Sequence, residues 1–275
     1  MRLDKPIGIL LLLWPTLWGL LIAGHGKPDW IIILIFVTGA VLMRSAGCVM
    51  NDIADYEYDG LVERTQNRPL VKNEVSKKEA YILAGTLCLV AFFLVCTLNT
   101  LTIKLSVFAM LLSVSYPFTK RFIALPQAYL GIAFGAGIPM AFASVTGSIP
   151  NVAWVLLLAN IFWAIAYDTE YAMVDRDDDL KIGINSSAIT FGKFDVIGVM
   201  ICYAFTIILL TIVGMQESMG YLFYIGLILA GLISIYHYFL IRLRQRSKCF
   251  KAFLHNNWFG LVIFLGLSAN YGFSV

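Results

Sequence analysis

The chain has 275 residues, of which 60% are hydrophobic and only 13% charged, and its formal net charge at pH 7 is +3. A water-soluble domain carries about a quarter charged residues, so this composition excludes an ordinary soluble protein. The small net charge gives no reason to expect a nucleic-acid partner. The five cysteines lack the CxxC spacing that would predict zinc binding or a disulfide framework. The lipid bilayer is the expected surrounding.

Nine apolar stretches are long enough to cross a bilayer, which takes about 20 mainly apolar residues in a helix. The sequence therefore predicts an all-α membrane protein with about nine transmembrane helices. No linker or low-complexity tract separates a second domain, so residues 1–275 are expected to form a single one. The predicted spans are 7–24, 30–50, 80–98, 101–117, 125–145, 152–171, 195–214, 220–241 and 254–273.

Long charged connectors alternate along the chain with short connectors that are nearly free of charge. The charged ones are 51–79, 172–194 and 242–253, together with the short segment 118–124. Nearly all lysines and arginines lie in the N-terminus, in these connectors or at helix ends beside them. The positive-inside rule therefore predicts that this face is cytoplasmic. The N-terminus is expected on the same side and, after nine crossings, the C-terminus on the other.

Two acidic patches follow the second and sixth predicted spans, N-D-I-A-D-Y-E-Y-D at 51–59 and D-T-E-Y-A-M-V-D-R-D-D-D at 168–179. Both contain Asp-x-x-x-Asp. Residues four apart in a helix lie on one face, with Cβ atoms about 5–6 Å apart. The residues that this spacing aligns are Asn51, Asp55 and Asp59, with Asp52 beside them, in the first patch and Asp168, Asp175 and Asp179 in the second.

Most charge runs are solvated loops, and that interpretation suits the remaining acidic residues of these connectors, such as Glu63, Glu74 and Asp177. It suits the two stripes poorly, because like charges at this spacing repel each other. Oxygen ligands without Cys or His are typical of Mg²⁺, which is usually completed by substrate phosphates. The stripes therefore predict one shared divalent-metal site for a diphosphate. The expected metal ligands are Asn51, Asp55, Asp59, Asp175 and Asp179.

A diphosphate site also needs cationic side chains, and the segment Tyr116-Pro-Phe-Thr-Lys120-Arg121 ends the fourth span on the same side. Lys120 could hold a phosphate as a point charge and Arg121 as a bidentate fork. On their own, the two residues are better explained as an anchor pair at the membrane surface.

Other arginines carry a similar ambiguity, as Arg64 and Arg68 in the first charged connector do. Arg44 differs, because it lies inside the second span, two turns before Asp52. An arginine there predicts a carboxylate, a phosphate or an acidic substrate as its partner.

Two further patterns in the sequence concern transport and histidine ligands. Acidic residues in spans also suggest a divalent-cation transporter, but carboxylates in transport paths usually lie near the bilayer midplane, whereas these cluster at one interface. His25, His237 and His255 show no ligand spacing and are interpreted as interfacial or core residues.

The two acidic patches resemble the two aspartate-rich motifs of the UbiA-type membrane prenyltransferases. The first continues as V-E-R-T-Q-N-R-P-L at 62–70, and the second as K-I-G-I-N-S-S-A-I. Three further segments resemble the branch that prenylates 4-hydroxybenzoate: R-L-D-K-P-I-G-I-L-L-L-L-W-P-T-L-W at 2–18, Y-P-F-T-K-R at 116–121 and C-F-K-A-F-L-H-N-N at 249–257. Members of this branch usually carry a stretch before R-L-D-K-P, which leaves the true start open.

The resemblance implies a helical bundle around a central cavity in a bacterial inner membrane, with a cytoplasmic active site and a periplasmic C-terminus. Tyr116 and Lys120 match a Tyr-x-x-x-Lys motif near the diphosphate and the reacting carbon, and Asp168 belongs to the second motif. The residues that would hold Mg²⁺ and the diphosphate are Asn51, Asp52, Asp55, Asp59, Asp175 and Asp179, and catalysis would depend on these aspartates and Lys120.

The implied reaction transfers a polyprenyl group from polyprenyl diphosphate to the ring carbon ortho to the hydroxyl of 4-hydroxybenzoate, in ubiquinone biosynthesis. The carboxylate of that acceptor would need a cation, for which Arg2, Arg44 and Arg121 are the candidates. Family members that prenylate naphthoate, homogentisate or haem remain the alternative.

Overall fold

The computed structural model describes residues 1–60, 65–119 and 121–273, and within them all regular structure is helical. The first seven helices are α1 (Ile7–Ala23), α2 (Trp30–Ala54), α3 (Tyr56–Asp59), α4 (Lys77–Val95), α5 (Thr100–Thr119), α6 (Pro126–Gly135) and α7 (Gly137–Thr146). The others are α8 (Asn151–Ile182), α9 (Ser187–Phe191), α10 (Asp195–Gln216), α11 (Tyr221–Ile241) and α12 (Arg246–Phe273).

In the described part of the chain, eight helical segments are long and apolar enough to cross a membrane, with α6–α7 and α9–α10 counted as one segment each. They correspond to the second to ninth predicted spans. Helix α1 matches the first, but its 17 residues extend only about 26 Å, less than a hydrocarbon core of about 30 Å. The all-helical membrane architecture is therefore confirmed, and the ninth crossing and the sides of the termini stay predictions.

The outer surface of the bundle is apolar, as a lipid-facing surface has to be. Phe93 is 69% exposed, Ile228 64% and Leu111 58%. Because lipid is as apolar as the interior, packing of small residues and hydrogen bonds hold such helices together. Helices α11 and α12 approach closely where a Cβ atom added to Gly226 would lie 3.1 Å from the Cα of Gly266.

The predicted span 125–145 is two helices rather than one, with a break at Ala136 between α6 and α7. Pro139 explains the break, because proline has no N–H to donate to the carbonyl four residues earlier. Helix α6 is held against α8 by a hydrogen bond from Asn160 Nδ2 to the carbonyl of Gly131, 2.9 Å.

Helix α8 is longer than predicted, because it continues through residues that the sequence assigned to the connector 172–194. Its 32 residues extend about 48 Å, which exceeds the thickness of the hydrocarbon core, about 30 Å. The polar end of α8 therefore lies outside the core. It ends where Gly183 adopts a left-handed conformation (φ 71°) and its N–H bonds to the carbonyl of Asp179. The second acidic patch is therefore entirely helical.

Helices α2 and α8, which carry the two acidic patches, each pack against α1 and α7. In the described part of the chain they do not form a closely packed pair with one another. Helices α1 and α7 therefore connect the two helices that carry the acidic patches.

Candidate active site

The first acidic patch spans the end of α2 and the single turn of α3. Helix α2 ends at Ala54, but the helical hydrogen bonds continue from the N–H of Asp55 to the carbonyl of Asn51 and from the N–H of Asp59 to the carbonyl of Asp55, both 2.9 Å. The predicted stripe is thus preserved across the helix end. Asn51 Nδ2 donates to Asp55 Oδ2 at 3.1 Å. Asp55 is 9% exposed and Asp59 5%, so both carboxylates are buried.

Two arginines partly neutralise this patch. Arg68 Nη1 lies 3.1 Å from Asp52 Oδ1 and also pairs with Asp59, while Arg2 pairs with Asp52. Burial raises the pKa of Asp59 above its usual value against the opposing effect of Arg68, and the nearby Asp55 and Asp52 add to the rise. The carboxylates of this patch are oxygen ligands of the kind that a divalent cation prefers.

The second patch lies on α8, where Asp168, Asp175 and Asp179 share one face, as the spacing predicts. The intervening Asp177 and Asp178 pair with an arginine of another helix. Their oxygens lie 3.1 and 3.6 Å from the Arg246 guanidinium at the start of α12.

Tyr116 of α5 links the two patches. It lies within electrostatic reach of Asp55 from the first patch and of Asp168 from the second. Tyr167 and Arg44 interact with the same group of side chains. The structure therefore brings together five residues: Arg44 in α2, Asp55 directly after α2, Tyr116 in α5, and Tyr167 and Asp168 in α8.

Arg44 reaches this group from inside α2. Its Nη1 donates to Cys48 Sγ at 2.5 Å, and its guanidinium lies 5.9 Å from the centre of the Phe134 ring. Arg44 Nε and the Tyr167 hydroxyl are buried and have no hydrogen-bond partner among the described residues. Buried polar groups are normally paired, so the Tyr167 hydroxyl is suited to receive a polar group of a substrate, whereas Arg44 Nε lies against Gly8 of α1.

The structure describes only some of the cationic residues that were predicted to bind the diphosphate or the acceptor. Lys120 and Arg64 lie outside the described residues. Arg121 Nη2 donates to the carbonyl of Ala54 at 3.0 Å, so it caps the end of α2 directly before Asp55. Arg2, a candidate for the acceptor carboxylate, is engaged by Asp52.

The donor set fits Mg²⁺ bound together with a diphosphate. Among the described residues, no three His, Cys, Asp or Glu side chains form a ready cage for a metal ion. Mg²⁺ is usually held by one or two carboxylates and by substrate phosphates rather than by an all-protein cage. The carboxylates at the two helix ends match that mode, and their roles as metal ligands stay predictions.

A buried polar network behind the site was missed from the sequence. Tyr203 Oη lies 3.0 Å from Glu170 Oε1, 2.8 Å from His237 Nδ1 and 2.9 Å from Asn256 Oδ1, and all four side chains are fully buried. His237 Nε2 lies 3.1 Å from His255 Nδ1. The interpretation of His237 as a core residue agrees with this burial, but its network was not foreseen. The sequence gives one indication of such a network, because Glu170 is an ionisable residue within a predicted span.

Comparison with known proteins gives the same picture over the whole chain. Residues 12–261 match the model of the UbiA prenyltransferase family. The 4-hydroxybenzoate octaprenyltransferase of Methylobacillus flagellatus is 62% identical over 269 residues, which are 98% of this chain and 91% of that protein.

Two solved structures share the fold. The apo structure of a UbiA homologue from Aeropyrum pernix superposes with a TM-score of 0.84 at 24% identity and covers 98% of both chains. A UbiA homologue from Archaeoglobus fulgidus bound to GPP and Mg²⁺ gives a TM-score of 0.73 at 17% identity and covers 97% of this chain and 98% of its own. Together with the family match and the helix-borne aspartate motifs, these likenesses establish that the chain belongs to the UbiA prenyltransferase family.

Proposed function

We propose that this protein transfers a polyprenyl group from polyprenyl diphosphate to the ring carbon ortho to the hydroxyl of 4-hydroxybenzoate, with release of diphosphate, in ubiquinone biosynthesis. The observation that carries the proposal is that Asp55 of the first acidic patch and Asp168 of the second both lie within electrostatic reach of Tyr116. The 62% identity to a 4-hydroxybenzoate octaprenyltransferase supports the choice of acceptor.

The acidic residues at the two helix ends would hold Mg²⁺, which binds diphosphate oxygens and neutralises the charge that develops on the leaving group. The two Asp-x-x-x-Asp pairs would place the positive charge of the metal at the end of the prenyl chain, where the C–O bond breaks. The electron pair of that bond leaves with the diphosphate, and Lys120 is proposed to stabilise it. The prenyl tail occupies the apolar interior, where exclusion of water protects the allylic cation until the ring attacks.

The acceptor is proposed to bind with its carboxylate at Arg44. This guanidinium is the cation whose Nε is buried without a partner among the described residues. The unpaired hydroxyl of Tyr167 lies in the same group of side chains and could hydrogen-bond to the ring substituents. Attack by the ring carbon forms the new C–C bond, and loss of the proton from that carbon restores the aromatic ring.

We further propose that the protein resides in a bacterial inner membrane with its site on the cytoplasmic side. The charged connectors and the arginines around the site support this orientation through the positive-inside rule. Labelling of an introduced cysteine at exposed Glu74 by a membrane-impermeant thiol reagent, in a background without the five native cysteines, would test it. Labelling from the periplasm would contradict it.

The activity is tested with purified protein in lipid nanodiscs, labelled polyprenyl diphosphate and 4-hydroxybenzoate, with Mg²⁺ or with a chelator. We expect prenylated 4-hydroxybenzoate only with the metal, and loss of product in Asp55→Ala and Asp175→Ala but not in Glu74→Ala, which changes an exposed residue. A panel with dihydroxynaphthoate, homogentisate and haem decides the acceptor. Wild-type turnover in both aspartate variants would contradict the metal site.

A further inference from the structure

Asp195, the first residue of α10, is a carboxylate with 0% exposure at the charged end of the bundle. Arg244 Nη2 lies 2.6 Å from its Oδ1, and Arg244 Nε lies 3.0 Å from Oδ1 and 3.1 Å from Oδ2. Arg176 Nη1 lies 3.1 Å from Oδ2. The N–H of Val196 donates to Oδ1 at 2.7 Å. Asp195 therefore joins two arginines that come from different parts of the chain.

Each arginine connects a different segment to this carboxylate. Arg176 belongs to α8 and lies directly after Asp175. Since successive residues of a helix are rotated by about 100°, Arg176 lies about 100° around α8 from Asp175 and about 60° from Asp179, and it reaches sideways to Asp195 of α10. Arg244 lies between α11 and α12 and also donates to the carbonyl of Lys193 at 2.9 Å. The protruding end of α8 is thereby tied to the ends of α10, α11 and α12.

Apolar packing does not hold this end of α8 on all sides. A cavity of about 350 Å³ borders it, lined by Met173, Leu180 and the charged residues of the cluster. The ion pairs of the helix end therefore add to the packing of α8 against α10 and α12.

The pairs differ strongly in burial. In the pair of Arg246 with Asp177 the side chains are 46% and 71% exposed, and such surface pairs contribute little. Asp195 is fully buried between its two arginines, and a buried carboxylate that loses a partner is left uncompensated. Among the ion pairs described at this end of α8, the one between Arg176 and Asp195 is thus expected to contribute most to the position of the helix end.

We propose that Asp195 is a positioning residue for the second aspartate motif: through Arg176 it fixes the end of α8 so that Asp175 and Asp179 face the first motif. This inference rests on the proposed function and adds to it a residue outside both motifs. Loss of the contact should loosen the grip on the metal diphosphate and leave the acceptor site, which lies deeper at Arg44, unchanged.

The test measures binding and turnover separately in Asp195→Asn and in a matched control. Isothermal titration with Mg²⁺ and a non-reactive prenyl thiodiphosphate should show about tenfold weaker binding, as for other residues that orient metal ligands. The KM for 4-hydroxybenzoate should stay within about twofold. Asp177→Asn makes the same chemical change at an exposed residue of the same helix end, and its binding should match the wild type.

Arg176→Gln and Arg176→Lys provide the second measurement, also if Asp195→Asn does not fold. The glutamine variant should bind the thiodiphosphate more weakly, and lysine should recover most of the affinity. Wild-type affinity in Asp195→Asn or Arg176→Gln, or an equal loss of acceptor and diphosphate binding, would overturn the proposal. If the wild type itself neither binds the thiodiphosphate nor transfers a prenyl group, the proposed function fails instead.

Discussion

The guanidinium of Arg44 lies directly against the α-carbon of Gly8. A Cβ atom added to Gly8 would lie 2.7 Å from Arg44 Cζ and would overlap its nitrogen atoms. Helix α1 thus comes close enough to α2 to fix the direction of this buried arginine, and only glycine leaves room for it.

We expect Gly8→Ala to impair acceptor binding without unfolding the protein. The added methyl group meets the end of a flexible side chain, which can move away, so the helices need not separate. A displaced Arg44 loses its contact with the carboxylate, and hydrogen bonds to charged groups are worth about 1.5–3 kcal/mol. The KM for 4-hydroxybenzoate should rise about tenfold or more, with little change in the KM for the prenyl diphosphate.

Gly47→Ala is the matched control, because Gly47 lies on α2 and an added Cβ there has nothing within 4 Å. It should behave as the wild type in both KM values. Equal kinetics for Gly8→Ala and Gly47→Ala would show that Arg44 does not bind the acceptor in the direction that the structure gives it.

Neighbouring aspartates of α8 should respond in opposite ways. Asp179 shares the face of Asp175, whereas Asp178 pairs with Lys181 at 3.5 Å and with Arg246 at 3.6 Å. We expect Asp179→Asn to lower kcat/KM about 100-fold, comparable to removal of one electrostatic stabiliser of a transition state, and Asp178→Asn to stay near the wild type. Initial rates at saturating Mg²⁺ measure both. Similar losses in the two variants would mean that general negative charge, rather than one helix face, supports the reaction.

These aspartates were predictable from the sequence because an i, i+4 spacing needs only local geometry. The transmembrane helices were predictable because each is coded by a continuous apolar stretch. The protruding end of α8 was not predictable, because charged residues after an apolar span are typical of a connector. Only Gly183 indicates where the helix ends. The ion pairs of Arg68 with Asp52 and of Arg244 with Asp195 join residues that are distant in sequence, and their partners depend on how the helices pack.

Arg68 should stabilise the protein most when no metal is bound. Its side chain is 13% exposed and pairs with Asp52 and Asp59, so Arg68→Gln leaves both carboxylates without that cation. We expect a loss of about 1–3 kcal/mol in the free energy of unfolding, the usual cost of an unsatisfied buried group. Thermal unfolding in detergent should show a lower midpoint for the variant without Mg²⁺ and a smaller difference with Mg²⁺ and diphosphate.

Lys72→Gln removes an exposed charge from the same connector and should leave the midpoint unchanged. A deficit in Arg68→Gln that Mg²⁺ and diphosphate do not reduce would argue that the arginine and the metal do not act on the same carboxylates.

The buried network around Tyr203 should contribute to stability rather than to chemistry. Tyr203→Phe removes one hydroxyl and leaves Glu170, His237 and Asn256 each with one partner fewer. A loss of about 1–3 kcal/mol is expected, seen as a lower thermal midpoint, while the folded variant keeps its kcat. Tyr238→Phe, at a tyrosine that is 40% exposed, serves as the control. A strongly reduced kcat at a normal midpoint would instead assign the network to the reaction.

Because α8 extends beyond the hydrocarbon core, the concentrations of the two substrates at the site are set by different phases. The end of α8 with Asp175 and Asp179 extends past the core, whereas the preceding turns, with Trp163 and Tyr167, are buried in the bundle. The acceptor arrives by diffusion in three dimensions, at a concentration set by the aqueous phase. The prenyl donor arrives by diffusion in two dimensions, at a concentration set by its fraction among the lipids. Diluting the donor with inert phospholipid at constant total donor should therefore slow turnover, and adding aqueous volume at constant acceptor concentration should not.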